Sequence, residues 1–400
     1  MKSEWTYRPL GELVSFASGG TPSKKRDDYW GGTIPWISAK TLKTENIDTS
    51  DLFITEEGLK AGSKIAPKGS ILLLTRGSGL FNGIPIARVE KDVAFNQDIK
   101  CLDSYGEVEN EFIFYWLLSQ KDYLMAKVGV TGIGAGKFDL DFLQKLMIPI
   151  PSERERKSIV GFASSISEKI RCNAKVNDNL EQQAVALFKS WFVDFSLFGG
   201  TVPENWEDTT LENITTLITR GIAPKYSDNS DQTVVNQKCI RNHTIDLSLA
   251  RTHTPKAINE KWLKFGDLLI NSTGDGTLGR VAQVWFTPKA LTVDSHVTIV
   301  RPAREELIFY IGLWGILHEK EIESLHTGST GQTELPRDRV KMLKLLLPDD
   351  SSLSRFNSII APMAPTIISN QEENQKLASL RDTLLPKLMS GEIDVSNIQL

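Results

Sequence analysis

The residues that could carry out chemistry form no pattern that a catalytic centre requires. Gly274-Asp275-Gly276-Thr277-Leu278-Gly279 matches the spacing Gly-x-Gly-x-x-Gly, but a dinucleotide-binding fold needs this turn to open a helix. The residues that follow, 281–286, have the pattern of a strand, and Thr287-Pro288 ends it. We therefore predict a turn between strands here, and no nucleotide site.

A second glycine-rich stretch, residues 132–137, resembles a phosphate-binding loop but departs from that motif at two positions. Thr131 occupies the place of the first glycine, and Phe138 stands where serine or threonine would hold magnesium. We predict a simple loop in this stretch.

The side chains that catalysis and metal binding use most often are scattered. The histidines all lie in the second half of the chain: His243, His253, His296, His318 and His326. None is spaced as a pair of metal ligands, and no Ser-His-Asp order indicates a triad. The chain also lacks the Asn-Pro-Pro-(Tyr/Phe) or Asp-Pro-Pro-Tyr run that amino-methyltransferases use on a flipped base. We predict no catalytic residue and no metal site.

Composition indicates an ordinary soluble protein. At 400 residues the chain can form two or three domains. Its net charge of −4 gives no global footprint of nucleic-acid binding, so any such binding must use local basic surface. Cys101, Cys172 and Cys239 form no Cys-x-x-Cys pair, which argues against a disulfide framework and a zinc site. With no apolar signal region or membrane-length apolar run, we expect a cytoplasmic protein.

Basic and amide-bearing loops are the remaining candidates for binding. Lys24, Lys25 and Arg26 lie in a Gly/Pro/Ser-rich loop and could meet phosphate. The second half offers Lys225, Lys238 and Arg241 for the same purpose, and Asn236 and Gln237 for base edges, because side-chain amides pair bidentately with adenine. Any one of these residues could also be plain surface, but their occurrence in both halves favours binding.

Two long helices must position these loops. The first is predicted over residues 153–191, where apolar residues recur at heptad spacing and Ser152 with Glu155 forms a capping box. The same pattern recurs at the C-terminus, because Asn370 minus Asn173 is 197. The residues that share this spacing are Asn173, Asn177, Leu180 and Leu187 in the first helix, and Asn370, Asn374, Leu377 and Leu384 in the second.

The asparagines predict how the helices pair. In an antiparallel pair, Asn173 would approach the level of Asn374, and Asn177 that of Asn370. A polar residue in an apolar seam costs stability but fixes the register. The alternative is that these asparagines lie on a solvated face. Pro362 and Pro365 should kink the second helix or delay its regular part to about Pro365.

The stretches between the helices repeat one plan. Trp206 answers Trp5 at a spacing of 201, and a helix predicted at residues 305–317 answers one at 111–126. Strands are predicted at 34–37, 71–75, 84–89 and 99–102. The predicted class is α+β: two tandem-duplicated mixed α/β domains separated by two long helices that pair as an antiparallel coiled coil. The predicted segments are 1–151, 152–199, 200–350 and 351–400.

This order of units resembles the DNA specificity subunit of type I restriction–modification systems (the HsdS family), over essentially the whole chain. The stretches that carry the resemblance are residues 187–195 and 384–393 at the helix ends, 19–23, 29–32 and 34–37 in the first globular segment, and 236–241 and 328–335 in the second. The resemblance implies two target-recognition domains, each of which reads one half of a split DNA site.

The resemblance also implies the partners and the division of labour. The chain would be a non-catalytic adaptor without a cofactor of its own. Two methyltransferase subunits would dock on the helices and bind S-adenosylmethionine, and restriction subunits would bring ATP and magnesium. Two other classes fit the residues: a protein-only scaffold, and a DNA methyltransferase that acts alone.

The residues that we predict to contact DNA combine the loop cations and amides with their neighbours. They are Thr21, Ser23, Lys24, Lys25, Arg26, Lys40, Arg76, Lys137, Lys225, Tyr226, Asn236, Gln237, Lys238, Arg241, Thr330 and Gln332.

Overall fold

The structure, a computed structural model, describes residues 5–132, 134–274, 276–328 and 333–395. The chain forms two compact units, Met1–Arg171 with Asn374–Leu400, and Cys172–Glu373. Both boundaries fall inside the long helices, so each unit contains one globular segment and a part of each helix. The predicted segments followed the order of the chain and did not anticipate that each helix would be shared between the units.

The first unit is built around a five-stranded sheet. Its strands, in spatial order, are Val14–Ser18, Ile99–Ser104, Ile71–Leu74, Ile86–Val89 and Asn46–Ile47. Pairing is antiparallel except between Asn46–Ile47 and Ile86–Val89. Ile71–Leu74 is buried at all four residues, as a continuous apolar run in a central strand should be. The four strands predicted in this segment are confirmed within two residues, apart from the start of Trp30–Ile37, which is four residues earlier.

A second sheet and short helices complete this segment. The sheet contains Phe53–Ile54, Trp30–Ile37, Val93–Phe95 and Lys64–Ala66. Smaller sheets pair Thr6–Pro9 with Met147–Ile150, and Gly129–Val130 with Gly136–Lys137 and Arg76–Gly77. The helices are Leu10–Leu13, Glu56–Gly62, Asn110–Ser119, Lys121–Met125 and Leu140–Gln144. The helix predicted at residues 111–126 is confirmed as helical but divides into Asn110–Ser119 and Lys121–Met125, because the backbone of Gln120 leaves the helical region (φ −95°, ψ 3°).

The second unit has a similar set of elements. One sheet contains Thr215–Arg220, Val297–Pro302, Leu268–Asn271 and Val281–Gln283, and another contains Arg251–Thr252, Thr233–Val235 and Leu291–Val293. Two strand pairs are Glu207–Thr210 with Lys344–Leu347, and Ile240–Arg241 with Thr244–Ile245. The helices are Ile308–Leu317, Glu319–Ser324, Arg337–Lys341 and Asp350–Ile360. The helix predicted at residues 305–317 begins with a 3₁₀ turn, Glu305–Leu307.

The first long helix, Glu153–Phe192, starts where the sequence predicts. Ser152 N donates to Glu155 Oε2 at 3.0 Å, and Glu155 N donates to Ser152 Oγ at 3.4 Å, so the capping box is confirmed. No helix in the described part of the chain is both long and apolar enough to cross a membrane.

The second long helix, Met363–Met389, follows a break. Asp350–Ile360 ends before Pro362, and the regular helix begins at Met363, two residues earlier than predicted. Pro365 fits because the first turn of a helix needs no backbone N–H from it.

Residues of the long helices are buried by the globular segments as well as by the heptad seam. Phe188 and Leu385 are buried at 2% and 1% exposure, while the predicted Leu187 and Leu384 beside them are half-buried. Each of these leucines packs on the core of its own unit. The predicted Leu180 and Leu377 are also half-buried.

Candidate nucleic-acid interface

The loop of residues 18–26 is held against the first segment by two glycines. A Cβ built on Gly19 would lie 2.0 Å from the carbonyl oxygen of Phe95, and one built on Gly20 would lie 2.0 Å from that of Gly62. Gly20 N donates to Phe95 O at 2.9 Å. No side chain fits at either position, so the sequence Gly-Gly reflects close approach of two backbones.

Two tryptophans fix the path of the same loop. Trp36 Nε1 donates to Gly20 O at 3.0 Å, Trp30 Nε1 donates to Ser23 O at 3.2 Å, and the two rings meet edge to face. Thr21 Oγ1 donates to Gln97 Oε1 at 2.7 Å. The predicted Thr21 and Ser23 thus support the loop, which presents the lysines that follow.

The three cations of the loop differ in what they already bind. Arg26 makes a bidentate pair with Asp28, at 2.6 and 2.8 Å, and its guanidinium lies 4.7 Å from the ring centre of Tyr29. The hydrogen bond from Arg26 lowers the pKa of Asp28. Lys24 and Lys25 are exposed, and no ion pair within the described residues includes them. The two lysines are therefore the cations free to meet phosphate.

Replacing Lys24 and Lys25 together by alanine should weaken DNA binding and reduce its salt dependence. Each phosphate contact that is lost lowers the slope of log K against log salt by about 0.9. We expect a slope smaller by up to about two, measured by fluorescence anisotropy between 50 and 200 mM salt. Adding Arg26→Ala should have a smaller effect because Asp28 already neutralises this side chain. An unchanged slope would remove the loop from the interface.

Lys40 lies in a turn of the first segment, and Arg76 and Lys137 lie in two of its short strands. Arg76 and Lys137 lie opposite each other in neighbouring strands. Lys40 follows Ala39, whose Cβ is 4.0 Å from a Cβ built on Gly77. Thr75 N and Arg76 N both donate to Asp98 O, in the turn that also contains Gln97 and so contacts the basic loop. The structure therefore brings the predicted cations of this segment to one edge.

The second segment contains the same turn with different residues. After the strand Trp30–Ile37, Lys40 N donates to Ser38 Oγ at 3.3 Å; after Thr233–Val235, Lys238 N donates to Asn236 Oδ1 at 2.9 Å. Asn236 Nδ2 donates to Leu249 O at 3.1 Å. The prediction that Asn236 reads base edges needs correction, because both ends of its amide already hold the turn. Lys238 is exposed.

Gln237 belongs to a polar group that the sequence did not reveal. Thr273 Oγ1 donates to Gln237 Oε1 at 3.3 Å and lies 2.8 Å from His296 Nδ1. Asn271 Nδ2 donates to Gln237 O, and its buried Oδ1 has no partner among the described residues. The available signal was the repeat, since Thr273 answers Arg76 at a spacing of 197.

The remaining predicted residues of this segment are dispersed. The guanidinium of Arg251 stacks on Tyr226, 3.7 Å from the ring centre, and Thr254 N donates to Lys225 O. Arg241 is exposed in the hairpin Ile240–Arg241/Thr244–Ile245. Thr330 and Gln332 lie outside the described residues.

The turn of that hairpin is anchored by His243. Its Nδ1 lies 2.5 Å from Glu181 Oε1 on the first long helix, and its Nε2 lies 3.6 Å from Glu319 Oε2. The hydrogen bonds to Glu181 and Glu319 raise the pKa of His243 to about 9. The imidazole is therefore charged at neutral pH and links the segment to the helix.

The second unit should lose stability as the pH rises. Because the folded pKa of His243 exceeds its ordinary 6.5, its contribution is complete below about pH 6.5 and is lost as the pH passes about 9. We expect His243→Gln to remove roughly 2 kcal/mol at pH 6.5 and much less at pH 9.5, measured by denaturant unfolding. His326→Gln, at an exposed histidine, should keep the wild-type pH dependence. An equal loss at both pH values would contradict this account.

The structure bears out the predicted turns at the two nucleotide-like motifs. Leu268–Asn271 and Val281–Gln283 pair as an antiparallel hairpin around residues 274–279, with a strand where a dinucleotide fold needs a helix. Gly129–Val130 and Gly136–Lys137 pair as another antiparallel hairpin, so the second stretch ends in a strand. Ile133 and Asp275 lie outside the described residues. Within the described residues, no group of three or more His, Cys, Asp or Glu is placed to hold a metal ion.

Comparisons with known proteins agree with this arrangement. Residues 2–182 match the family model of the type I restriction modification DNA specificity domain. The chain is 27% identical to the type I restriction enzyme MjaIX specificity subunit of Methanocaldococcus jannaschii, over 99% of this chain and 95% of that protein. It is 31% identical to the EcoR124I/EcoR124II specificity subunit of Escherichia coli over 40% of each chain.

A solved structure shares the fold. The S subunit of a type I restriction–modification system from M. genitalium superposes with a TM-score of 0.56, at 17% identity, over 96% of each chain. This likeness supports the mixed α/β fold with a long helix. In sequence, the chain is similar to type I restriction enzyme specificity subunits, over residues 2–182 in the family model and over nearly its whole length in the MjaIX subunit.

Proposed function

We propose that each globular segment reads one half of a bipartite DNA site and that the chain itself is non-catalytic. The observation that carries this proposal is that the two segments share the backbone hydrogen bonds of one loop arrangement but place different side chains on it. Gly20 N donates to Phe95 O and Ile222 N to Val293 O, each at 2.9 Å, beside the matching turns at Ser38 and Asn236. The exposed side chains on this loop arrangement differ between the segments, as two independent half-sites would require.

We infer further that the chain arose by tandem duplication and that its long helices pair as an antiparallel coiled coil. In the second unit Asn173 Nδ2 donates to Glu373 Oε2 at 2.7 Å, and Asn370 Nδ2 donates to Asn177 Oδ1 at 2.8 Å. Residue numbers rise along one helix and fall along the other. In the first unit Asn374 Nδ2 donates to Ile170 O at 3.2 Å. These bonds support the predicted role of the asparagines in fixing register.

The proposed partners are two methyltransferase subunits and the restriction subunits of the complex. S-adenosylmethionine would be bound by the former, and ATP and magnesium by the latter, in the cytoplasm where the DNA lies. Apolar side chains exposed on the long helices, Val176 at 41% and Leu380 at 48%, support docking on these helices.

Exchange of one segment tests the proposal. Residues 1–151 are replaced by the matching segment of a relative whose target is known, and methylated sites are sequenced in cells that also express the methyltransferase. We expect one half-site to change and the other to stay the same, because each unit has its own core. A change in both half-sites would refute independent reading.

Two further measurements separate the alternatives. Binding of S-adenosylmethionine by the isolated chain would favour a methyltransferase that acts alone. DNA binding by the assembled complex that is absent or insensitive to salt would favour a protein-only scaffold.

A further inference from the structure

Two like charges face each other in the small sheet of the first segment. In the register of this sheet, Arg76 lies opposite Lys137, and Lys137 lies opposite Gly129. Both cations are exposed, and no ion pair within the described residues includes either of them. Like charges directly opposite on neighbouring strands destabilise a sheet. An arrangement that costs stability without an internal counter-ion favours an external anion.

Most of the other residues in this small sheet are glycines. Gly77, Gly129 and Gly136 fill the positions around the two cations, and Val130, on the adjoining strand, is 69% exposed. Gly136 is confined, since a Cβ there would lie 2.9 Å from Leu80 Cβ. Gly77 and Gly129 are not buried, so the backbone of this three-stranded sheet is open there to close approach by phosphate.

The second segment has a corresponding ladder of backbone bridges, in which the two facing positive charges are absent. Thr273 and Thr327 both lie opposite Glu334. Glu334 forms an ion pair with Arg220, which also donates to Leu335 O at 2.8 Å. The position of Lys137 is thus taken by a carboxylate, and that of Arg76 by a threonine.

We propose that Arg76 and Lys137 form a phosphate clamp for the first half-site, and that the corresponding ladder of the second segment makes no such contact. The two halves of the chain then share the electrostatic part of binding unequally. This inference rests on the proposed reading of DNA by both segments.

The test uses the full chain assembled with its methyltransferase subunits and a duplex containing the site that the complex methylates. Affinity is measured by fluorescence anisotropy at several salt concentrations between 50 and 200 mM. Arg76→Ala with Lys137→Ala should reduce the salt slope by about 1.8, so the variant loses about tenfold less affinity than wild type across this range. Arg220→Ala with Glu334→Ala, which removes the ion pair at the second ladder and no net charge, should leave the slope unchanged.

The outcomes separate this inference from the proposed function. A wild-type complex that binds this duplex no more tightly than one without the site would refute DNA reading itself. A normal wild-type slope that the first double variant retains would refute the clamp alone, as would an equal reduction by the second double variant. Removal of the facing charges should not lower the thermal midpoint of the chain. If the double variant has a lower thermal midpoint, the single variant Lys137→Gln is measured instead, and its salt slope should be reduced by about 0.9.

Discussion

Replacing Arg381 by methionine is expected to remove about 2–4 kcal/mol from the free energy of unfolding of the first unit. Arg381 lies on the second long helix with 7% of its side chain exposed. Its guanidinium donates to both carboxylate oxygens of Glu45, at 2.5 and 3.0 Å, and to Ser167 Oγ at 3.2 Å. The substitution leaves a largely buried carboxylate with one of its two cations.

The state of Glu45 gives the reason for this magnitude. Burial alone would raise the pKa of Glu45, but Lys121 and Arg381 outweigh it and hold this pKa below its ordinary value. Glu45 is 29% exposed and keeps Lys121 at 3.2 Å, so the loss should fall below that of a fully buried pair. Because the pKa of Glu45 is lowered in the folded state, its ionised form stabilises the fold at pH values above the ordinary carboxylate pKa, and this contribution is lost as the pH falls. The difference between wild type and variant should therefore narrow in acid.

Denaturant unfolding of the full chain, followed by circular dichroism, measures the effect. Lys387→Met on the same helix is the matched control, because its pair with Glu392 is exposed and should contribute less than about 1 kcal/mol. The double variant Glu45→Gln, Arg381→Met should lose less unfolding free energy than Arg381→Met alone, because glutamine leaves no buried carboxylate without its arginine. Equal losses for Arg381→Met and Lys387→Met would show that the buried pair contributes little.

The charge clusters show where sequence reasoning stops. Glu45 answers His243 and Lys121 answers Glu319, both at a spacing of 198, and each position has the opposite charge in the other unit. Arg381 answers Ala184 at 197, so the repeat itself predicts an apolar residue. Periodicity revealed both helices, but the identity of a charged partner depends on which loop folds against the helix. This contact exists only in the tertiary structure. Comparing residue types between the two halves does not reveal it, because the charges at corresponding positions have opposite signs.

The candidate interface was predictable to a similar depth. The basic loop was found because turn-forming residues surround Lys24 and Lys25. Asn236 was predicted to read bases, but its amide holds a turn, a choice that sequence alone does not reveal. Thr273 and His296 were missed because single polar residues after strands have no distinctive spacing. The antiparallel pairing of Leu268–Asn271 with Val297–Pro302 brings them together in the folded segment.

Lengthening both long helices by one heptad should widen the unspecified gap in the recognised DNA site by about three base pairs. The first long helix contains 40 residues and spans roughly 60 Å at about 1.5 Å per residue. Seven more residues add about 10 Å, and duplex DNA rises about 3.4 Å per base pair. Because the helix joins the two globular segments along the chain, we expect its length to set the spacing of the half-sites.

The hydrogen bonds between the helices indicate where to insert. A heptad after Lys175 and another after Glu372 leave Asn173 level with Glu373, and Asn177 level with Asn370. Seven residues also keep the apolar seam in phase. The same heptad in one helix only is the control. It shifts one set of asparagines past its partners, so assembly and methylation should be lost.

Sequencing of methylated sites in cells that express the lengthened chain with its methyltransferase measures the gap. Both half-site sequences should stay the same, since neither globular segment is altered. Total methylation should fall, because three base pairs also turn one half-site about 100° around the DNA axis, at about 10.5 base pairs per turn. A lengthened variant that methylates DNA and still prefers the original gap would show that something other than the helices sets the distance.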